Sequence, residues 1–188
     1  MRITSAKFIK EVVADDEILH DELPKVAFIG RSNVGKSSLI NALTGSAISR
    51  TSHRAGSTQA LAIFLINQKF YLIDLPGYGF AQGSARGRAK MGNLIASYLF
   101  DPKYIQEKIV LIIDANVGMT DRDLGMLQEL QSYPKDFIVA ASKIDKLRPA
   151  EYHRKIAAIQ KLVGDHAVFP FSSTEGKGLD AIANALFS

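Results

Sequence analysis

The sequence GRSNVGKSSLINAL, residues 30–43, decides the fold. It matches the pattern G-x-x-x-x-G-K-[ST] and lies between an apolar run at 26–29 and a helical pattern of apolar residues. Glycines in such a loop let backbone N–H groups converge on phosphate oxygens, and the following helix adds a favourable dipole. Lys36 supplies a positive charge, and Ser37 offers a hydroxyl to Mg²⁺. The segment is therefore predicted to be a phosphate-binding loop.

The composition is that of an ordinary globular protein. The chain has 188 residues, of which 47% are hydrophobic and 22% are charged, so one domain spanning residues 1–188 is predicted, with a core at about 24–187 and an N-terminal extension at 1–23. The absence of cysteine excludes disulfides and thiolate metal sites. No run approaches the roughly 18 apolar residues of a membrane helix, so we expect a cytoplasmic protein without membrane contact. The net charge of +4 leaves a nucleic-acid partner open.

Apolar runs alternate with helical patterns along the chain. Most runs are apolar throughout rather than at every second residue, which is typical of parallel strands covered on both faces. We therefore predict an α/β fold with a mostly parallel six-stranded sheet flanked by helices, plus an extra N-terminal strand at residues 3–13. The six strands are predicted at residues 26–29, 60–66, 69–74, 109–114, 137–142 and 167–171.

Two polar segments lack any strand or helix period. The acidic segment 14–22 is predicted to be a loop, and the basic segment 46–59 is expected to be mobile unless a partner orders it. Between the strands, Thr120 with Asp123 resembles a capped helix start, and Pro149 suits the first turn of a later helix.

Polar clusters follow several predicted strands. Ligands of such sheets bind beyond the carboxyl ends of the strands. Asp74, at the end of one strand, can hold Mg²⁺ through a water, while the N–H of Gly77 can approach a terminal phosphate. The alternative is a loop cap followed by a turn. D-x-x-G alone does not decide between them.

The segment Ser142-Lys143-Ile144-Asp145 is more discriminating. A fixed carboxylate accepts two parallel hydrogen bonds from N1–H and the exocyclic amine of guanine, which adenine does not supply. The aliphatic stem of Lys143 can cover the base plane. A surface salt-bridge loop is the alternative for this segment taken in isolation.

Taken in order, these motifs resemble those of the Ras-like translation-factor GTPase superfamily. Within it, GRSNVGKSSLINAL, SRTS at 49–52, GSTQ at 56–59, DLPGYGFA at 74–81 and FSSTEGKGLD at 171–180 are similar to the EngB family, also called YsxC or YihA. That family belongs to the TrmE-Era-EngA-YihA-septin-like branch of P-loop GTPases, and its members are bacterial GTPases implicated in assembly of the large ribosomal subunit. The resemblance covers residues 20–186 and implies a Ras-like P-loop GTPase fold.

The resemblance also assigns a role to each matched position. The phosphate cradle would be Gly30, Arg31, Ser32, Asn33, Val34, Gly35, Lys36 and Ser37, and the first switch would be Gly56, Ser57, Thr58, Gln59 and Ala60. The second switch would be Asp74, Leu75, Pro76 and Gly77, the guanine reader Ser142, Lys143, Ile144 and Asp145, and a backbone contact to the guanine carbonyl Phe171, Ser172 and Ser173. The metal ligands of Mg²⁺ would be Ser37 and Thr58, with Asp74 acting through water. Lys36, Thr58, Gly77 and Asn33 would carry the catalysis.

Three positions depart from the family pattern. Ala55 and Ser57 replace a proline and a basic residue in the first switch, and Ser142 stands where the superfamily has asparagine and the family threonine. A contact from position 142 to guanine N7 is therefore lost or weakened. The segment after the second switch also lacks the tryptophan that the family often has there.

Two residues bear on the mechanism implied by the resemblance. Tyr78 stands where Ras-type enzymes have the glutamine that orients water, which predicts slow intrinsic hydrolysis. In K⁺-stimulated relatives an asparagine at the position of Asn33 coordinates the ion, so K⁺ is a candidate cofactor beside Mg²⁺; the alternative is that Asn33 only stabilises the turn.

The expected function is a GTP-hydrolysing switch that cycles between GTP and GDP and acts in assembly of the large ribosomal subunit, with a role in growth and division septation. Its partners would be ribosomal RNA and proteins of the large subunit or its precursor, and a monomer is expected. Positive residues beside the switches suit RNA, although a solvated polar face explains them equally well: Arg50, His53, Arg54, Arg86, Arg88 and Lys90. The alternative function is a guanine-nucleotide-dependent RNA or ribosome sensor with negligible hydrolysis.

Overall fold

A computed structural model describes residues 3–49, 60–79 and 84–187 of the chain. Its centre is a seven-stranded sheet in the order β1-β3-β4-β2-β5-β6-β7. The strands are β1 (Ala6–Val12), β2 (Lys25–Gly30), β3 (Leu61–Ile66), β4 (Phe70–Asp74), β5 (Lys108–Asp114), β6 (Phe137–Ser142) and β7 (Val168–Pro170). The helices are α1 (Lys36–Thr44), α2 (Ala85–Phe100), α3 (Asp121–Ser132), α4 (Pro149–Val163) and α5 (Leu179–Phe187).

The sheet is mostly parallel. β2 pairs in parallel with β4 and β5, and β6 pairs in parallel with β5 and β7. The N-terminal strand β1 joins the sheet at its edge and pairs antiparallel with β3, which itself runs antiparallel to β4. The extra strand predicted at residues 3–13 is thus present and brings the sheet to seven strands.

Two apolar clusters cover the faces of the sheet. All six residues of β2 are buried, as expected for a strand covered on both sides. One cluster contains Ile29, Leu111 and residues of α2 and α3, and the other contains Phe28, Leu39 and residues of α1 and α5. Alternate residues of each strand therefore serve opposite layers, which fixes strand register.

Local sequence accounts for several element boundaries. Asn67 and Gln68, both at positive φ, are the central residues of the turn between β3 and β4, which is closed by a hydrogen bond from the N–H of Lys69 to the Ile66 carbonyl oxygen. Thr120 and Asp123 form the reciprocal capping box at the start of α3, and Pro149 occupies the first turn of α4.

The segment 14–22 is not wholly a loop as predicted. It contains a short 3₁₀ helix, Glu17–Leu19, that begins with a hydrogen bond from the N–H of Ile18 to the Asp16 side chain. Leu19 is 2% exposed, and its burial explains why a turn forms within an otherwise acidic segment. Within the described residues, no helix is long and apolar enough to cross a membrane.

Candidate functional site

The site is centred on the loop between β2 and α1. Gly30 ends β2 and lies where an added Cβ would meet the Ile112 carbonyl oxygen at 2.7 Å, so only glycine fits beside β5. Asn33 and Gly35 have φ of 65° and 107°, which turns the loop back over the start of the helix. Val34 is 1% exposed and anchors the loop in the core.

Helix α1 begins without a side-chain cap. Gly35 occupies the N-cap position and supplies no side-chain hydrogen bond to the first turn. The first N–H groups of a helix have no partner within the helix, and together with the dipole they form an anion site. The glycine cap and the lysine of the first turn therefore leave this end suited to phosphate oxygens.

Lys36 and Asp74 form an ion pair across the site. The Nζ of Lys36 donates to Oδ1 of Asp74, and the Oγ of Ser49 donates to Oδ2 of the same carboxylate at 2.9 Å. The side chains of Lys36 and Asp74 are only 10% and 5% exposed. The structure thus places the predicted phosphate lysine against the predicted metal carboxylate.

Tyr78, which follows the predicted second switch, pairs with the phosphate loop through its backbone. The N–H of Ser32 donates to the Tyr78 carbonyl oxygen at 3.1 Å, and the N–H of Tyr78 donates to the Gly30 carbonyl oxygen at 3.2 Å. An added Cβ at Gly77 would lie 3.0 Å from the Oγ of Ser32. A side chain at position 77 would therefore require Ser32 to shift by a few tenths of an ångström.

Two other residues of the second switch are buried. The side chain of Leu75 is 0% exposed, and its N–H donates to the Phe28 carbonyl oxygen at 3.0 Å. Pro76 is also buried. The side chain of Leu75 belongs to the core.

Tyr78 points towards helix α3. Its hydroxyl donates to Oδ1 of Asp123 at 2.7 Å, and burial, followed by the nearby Asp123 charge, raises the pKa of Tyr78 well above its ordinary value. Oδ2 of Asp123 accepts from the N–H and the hydroxyl of Thr120. The Asp123 carboxylate therefore caps α3 and also accepts a hydrogen bond from Tyr78.

The side chain of Arg31 lies beside the same carboxylate. Its Nε is 3.9 Å from Oδ2 of Asp123, and this buried nitrogen has no hydrogen-bond partner among the described residues. The backbone of Arg31 forms an isolated bridge with Tyr78. The side chain of Arg31, in the predicted phosphate loop, thus faces α3.

The predicted base-reading segment follows β6. Lys143 has a φ of 60°, and a short 3₁₀ helix, Ile144–Lys146, begins after it. The Nζ of Lys143 donates to the Asn33 carbonyl oxygen at 2.8 Å and to Oδ2 of Asp114 at 2.7 Å. Lys143 therefore ties the base-reading segment to the phosphate loop.

Ser142 makes a second tie between the same two segments. Its Oγ lies 2.6 Å from the Val34 carbonyl oxygen and 3.0 Å from the Ile113 carbonyl oxygen, and the residue is 1% exposed. The short hydroxyl is used inside the fold, which agrees with the predicted loss of a contact from this position to guanine N7.

Asp145 is oriented by the last loop of the site. Its Oδ1 accepts a 2.7 Å hydrogen bond from the Oγ of Ser172. Fewer backbone N–H groups of this loop are available to a base than predicted. The N–H of Phe171 already donates to the Ala141 carbonyl oxygen, and the N–H of Ser172 donates to the Lys177 carbonyl oxygen. Of the three predicted residues, Ser173 is the one whose N–H has no partner within the described residues.

The structure brings the phosphate loop, Asp74, Gly77, and the segments at 142–145 and 171–173 to one edge of the sheet. Ala60 precedes β3 and is 5% exposed. The other predicted first-switch residues lie outside the described part of the chain: Gly56, Ser57, Thr58 and Gln59. The cations Arg50, His53 and Arg54 lie outside it as well.

Sequence reasoning gave no site role to three residues. Ser49 donates a hydrogen bond to Asp74, Asp114 accepts one from Lys143, and Asp123 accepts one from Tyr78. Asp114 ends β5 just as Asp74 ends β4, so its position at a strand end was a usable signal. The hydrogen bonds of Ser49 with Asp74 and of Asp123 with Tyr78 join segments that are distant in the sequence, so no local pattern predicts them.

Comparison with known proteins agrees with this geometry. Residues 25–143 match the model of the family described as 50S ribosome-binding GTPase. The chain is 37% identical over 191 residues to the probable GTP-binding protein EngB of Clostridium perfringens (strain 13 / Type A), covering 100% of this chain and 96% of that protein. The chain belongs to the EngB family of P-loop GTPases.

Other EngB proteins and solved structures agree. The EngB protein of Mycoplasmopsis pulmonis (strain UAB CTIP) is 38% identical over 181 residues, covering 96% of this chain and 97% of that protein. A crystal structure of a probable GTP-binding protein engB superposes with a TM-score of 0.72 at 25% identity, covering 87% of this chain and 96% of that one. The predicted family and the Ras-like α/β fold are therefore confirmed, and the chain is a GTP-binding protein of this family.

A second structural relative is Era. Its structure in complex with MgGDPNP and nucleotides 1506-1542 of 16S ribosomal RNA superposes with a TM-score of 0.69 at 30% identity, covering 88% of this chain and 56% of Era. This chain thus corresponds to about half of Era, and the RNA contact is a property of Era.

Proposed function

We propose that this EngB-family protein is a GTP-hydrolysing switch that assists assembly of the large ribosomal subunit and thereby supports growth and division septation. Binding of a guanine nucleotide is supported by one arrangement of the site. Helix α1 begins without a side-chain cap, Lys36 in its first turn lies beside Asp74, and Lys143 links the phosphate loop to the proposed base-reading segment. The ribosomal part is supported by the family description, 50S ribosome-binding GTPase.

Each predicted group then has a defined task. The N–H groups at the start of α1 and the Nζ of Lys36 bind the phosphates, and the second switch approaches the terminal phosphate through the backbone of Gly77. Asp145, held by Ser172, accepts hydrogen bonds from the guanine edge. When the terminal phosphate leaves, the contacts that hold the switches are lost, and the surface offered to a partner changes.

The oxygen donors of the site fit Mg²⁺. Ser37, next to Lys36 on α1, and the Asp74 carboxylate are hard ligands of the kind Mg²⁺ prefers, and Thr58 is the further ligand proposed from the family pattern. Among the described residues, no group of three or more His, Asp or Glu side chains could hold a metal by itself. A bound Mg²⁺ would neutralise the charge that develops on the phosphate oxygens.

Intrinsic hydrolysis is proposed to be slow. The Tyr78 hydroxyl donates to Asp123, so this side chain is not available to orient an attacking water. The same observation supports the alternative function, a nucleotide sensor with negligible hydrolysis. Single-turnover phosphate release with and without large ribosomal subunits separates the two functions: release that the subunits accelerate supports the switch, and no release in either condition supports the sensor.

K⁺ is proposed as an activating ion at Asn33. Its carbonyl oxygen accepts from Lys143, while its side-chain amide makes no hydrogen bond within the described part of the chain. The positive φ of 65° favours the alternative, a turn-forming role only. GTP hydrolysis is expected to be faster in K⁺ than in Na⁺ at equal ionic strength, and equal rates would reject the ion site.

Base specificity tests the proposed reader directly. Asp145→Asn is expected to shift preference from GTP towards xanthosine triphosphate, whose base has a carbonyl oxygen that accepts a hydrogen bond where guanine has the exocyclic amine that donates one. Asp180→Asn, at an exposed position of α5, is the matched control and should keep the preference for GTP. Unchanged GTP affinity in the Asp145 variant would show that another residue reads the base.

Binding to the ribosome is tested by co-sedimentation. Large subunits are incubated with the protein in a non-hydrolysable GTP analogue or in GDP, at two salt concentrations. Stronger co-sedimentation with the analogue is expected, and weakening by salt would indicate phosphate contacts. Equal recovery with both nucleotides would contradict a switch.

A further inference from the structure

A groove of about 400 Å³ lies between α2 and α3, beside the second switch. Each helix contributes four lining residues at the spacing i, i+3, i+4 and i+7, which places them on one face. Tyr78 and Gly79 close one end. The helical lining consists of Arg88, Met91, Gly92 and Ile95 from α2, and Arg122, Gly125, Met126 and Glu129 from α3.

The groove has a charged end and an apolar middle. Helices α2 and α3 both return from the carboxyl ends of parallel strands, so they run in the same direction, and their first turns lie near Gly79. An Nη1 of Arg122 donates to the Gly79 carbonyl oxygen, which confirms this arrangement. The arginines therefore flank the switch end, the methionines lie beyond them, and Ile95 and Glu129 lie farthest from the switch.

Positive charge also extends outside this end of the groove. Arg86 and Lys90 are exposed on the first half of α2, and α2 contains no acidic residue. An occupant with carboxylates at the switch end and an apolar side chain farther along would match this distribution.

The two helical glycines of the lining, Gly92 and Gly125, are not required by the fold. An added Cβ at Gly92 or at Gly125 would meet no described atom within 4 Å, and neither residue has a positive φ. Glycine is also the least favourable residue after proline inside a helix. Gly92 on α2 and Gly125 on α3 both line the open groove, and their lack of side chains leaves room for another chain to approach closely.

We propose that this groove docks a segment of a protein partner that inserts an apolar side chain between Met91 and Met126 and places carboxylates beside Arg88 and Arg122. The proposal deepens the switch function and rests on it, with the partner segment belonging to the large ribosomal subunit or its precursor. Tyr78 and Gly79 form one end of the groove, so its shape depends on the second switch.

The chemistry of the lining favours protein over RNA. Unpaired bases stack on aromatic rings or guanidinium planes. The one ring among the described lining residues, Tyr78, is held by its hydrogen bond to Asp123, and the guanidinium of Arg122 is held by the Gly79 carbonyl oxygen. Thioethers adapt to apolar side chains of different shapes. An RNA segment would also leave the apolar middle of the groove unused.

Filling the groove tests the proposal. Gly125→Leu and Gly92→Leu place a side chain in the open space, and Ala158→Leu adds the same side chain on an exposed position of α4. In the GTP-analogue state, both groove variants are expected to bind large subunits at least tenfold more weakly, while Ala158→Leu binds like the unmodified protein. Nucleotide affinity and thermal unfolding of all three variants should match the unmodified protein, which shows that the fold is intact.

Crosslinking identifies the occupant. The full-length protein is prepared with photoreactive benzoylphenylalanine replacing Glu129, and a control carries it in place of Lys161 on α4. A crosslink from position 129, and not from 161, to an acidic protein segment of the subunit supports the proposal. A crosslink to RNA, or one that stays within the chain, overturns it.

The two proposals fail in different ways. Groove variants that co-sediment like the unmodified protein overturn the docking groove and leave the ribosomal switch intact. If the unmodified protein does not co-sediment in either nucleotide, the ribosomal function and the docking groove both fail.

Discussion

The Tyr78 hydroxyl donates a 2.7 Å hydrogen bond to Asp123, a carboxylate that is only 1% exposed. Tyr78 follows the predicted second switch, and Asp123 caps α3, so this contact joins the loop after β4 to one wall of the groove between α2 and α3. A buried carboxylate needs such donors because burial without them is costly. The pair therefore fixes the loop after β4 against the start of α3.

Tyr78→Phe is expected to lower the free energy of unfolding by about 1–2 kcal/mol, because it removes a buried hydrogen bond to a charged group and leaves Oδ1 of Asp123 without this donor. The measurement is urea unfolding. Tyr133→Phe, at a position 41% exposed, should change stability by less than about 0.5 kcal/mol. Equal midpoints for the two variants would show that the bond contributes nothing to stability.

Ser142→Ala is expected to weaken GTP and GDP binding to the same extent, by about fivefold, which corresponds to about 1 kcal/mol. The reason is that the hydroxyl holds the Val34 carbonyl oxygen, and both nucleotides use the phosphate loop. Titration with fluorescent nucleotides measures both affinities. Ser132→Ala removes a similar hydroxyl-to-carbonyl bond at an exposed site and should leave binding unchanged. A loss confined to GTP would place the role of Ser142 at the terminal phosphate instead.

Gly178→Ala is expected to destabilise the protein by about 3 kcal/mol, because the residue has a φ of 77° and its new Cβ would overlap the Pro170 carbonyl oxygen. Gly176→Ala has a similar φ of 69° but open space, so it should cost only about 1 kcal/mol. Thermal and urea unfolding compare the two. Guanine nucleotide binding should also weaken in the Gly178 variant, since the loop at 171–173 begins at the carbonyl concerned. Similar costs for the two would mean that the backbone moves to accommodate the methyl group.

The N-terminal segment is predicted to contribute acid sensitivity through Asp15. Hydrogen bonds from His20, then from Lys103 and Tyr104, hold the pKa of this carboxyl well below its ordinary value of 3.8. In the unfolded chain the group takes up a proton at a higher pH than in the folded protein, so the stabilisation is complete above about pH 5 and decreases as the pH falls through 3.8.

Asp15→Asn should therefore lower the unfolding temperature at pH 7 and reduce its further fall between about pH 5 and pH 2.5. Asp165→Asn, at another exposed carboxylate, should leave the pH profile unchanged. Because the Asp15 side chain is exposed to solvent, the effect should also shrink in high salt. A pH profile that is identical in the Asp15 variant would contradict the assignment.

Much of the fold is encoded locally. The apolar runs predicted six strands, Asn67-Gln68 predicted the hairpin, and Thr120 with Asp123 predicted the start of α3. These signals are short-range, because hydrophobic period, turn conformation and capping each depend on residues a few positions apart. The 3₁₀ helix at Glu17–Leu19 escaped prediction because burial of Leu19 against the core decides it.

The sequence by itself determined the family, the order of the motifs and the chemical groups at the strand ends. Only the tertiary structure decided how those groups are held. Lys143 and Ser142 tie the base-reading segment to the phosphate loop across more than a hundred residues, and Asp123 serves α3 and Tyr78 together. The groove beside Gly79 likewise exists only because two helices return in the same direction from neighbouring parts of one parallel sheet. Hydrogen bonds and packing between distant segments depend on strand order and helix placement, and no local pattern records them.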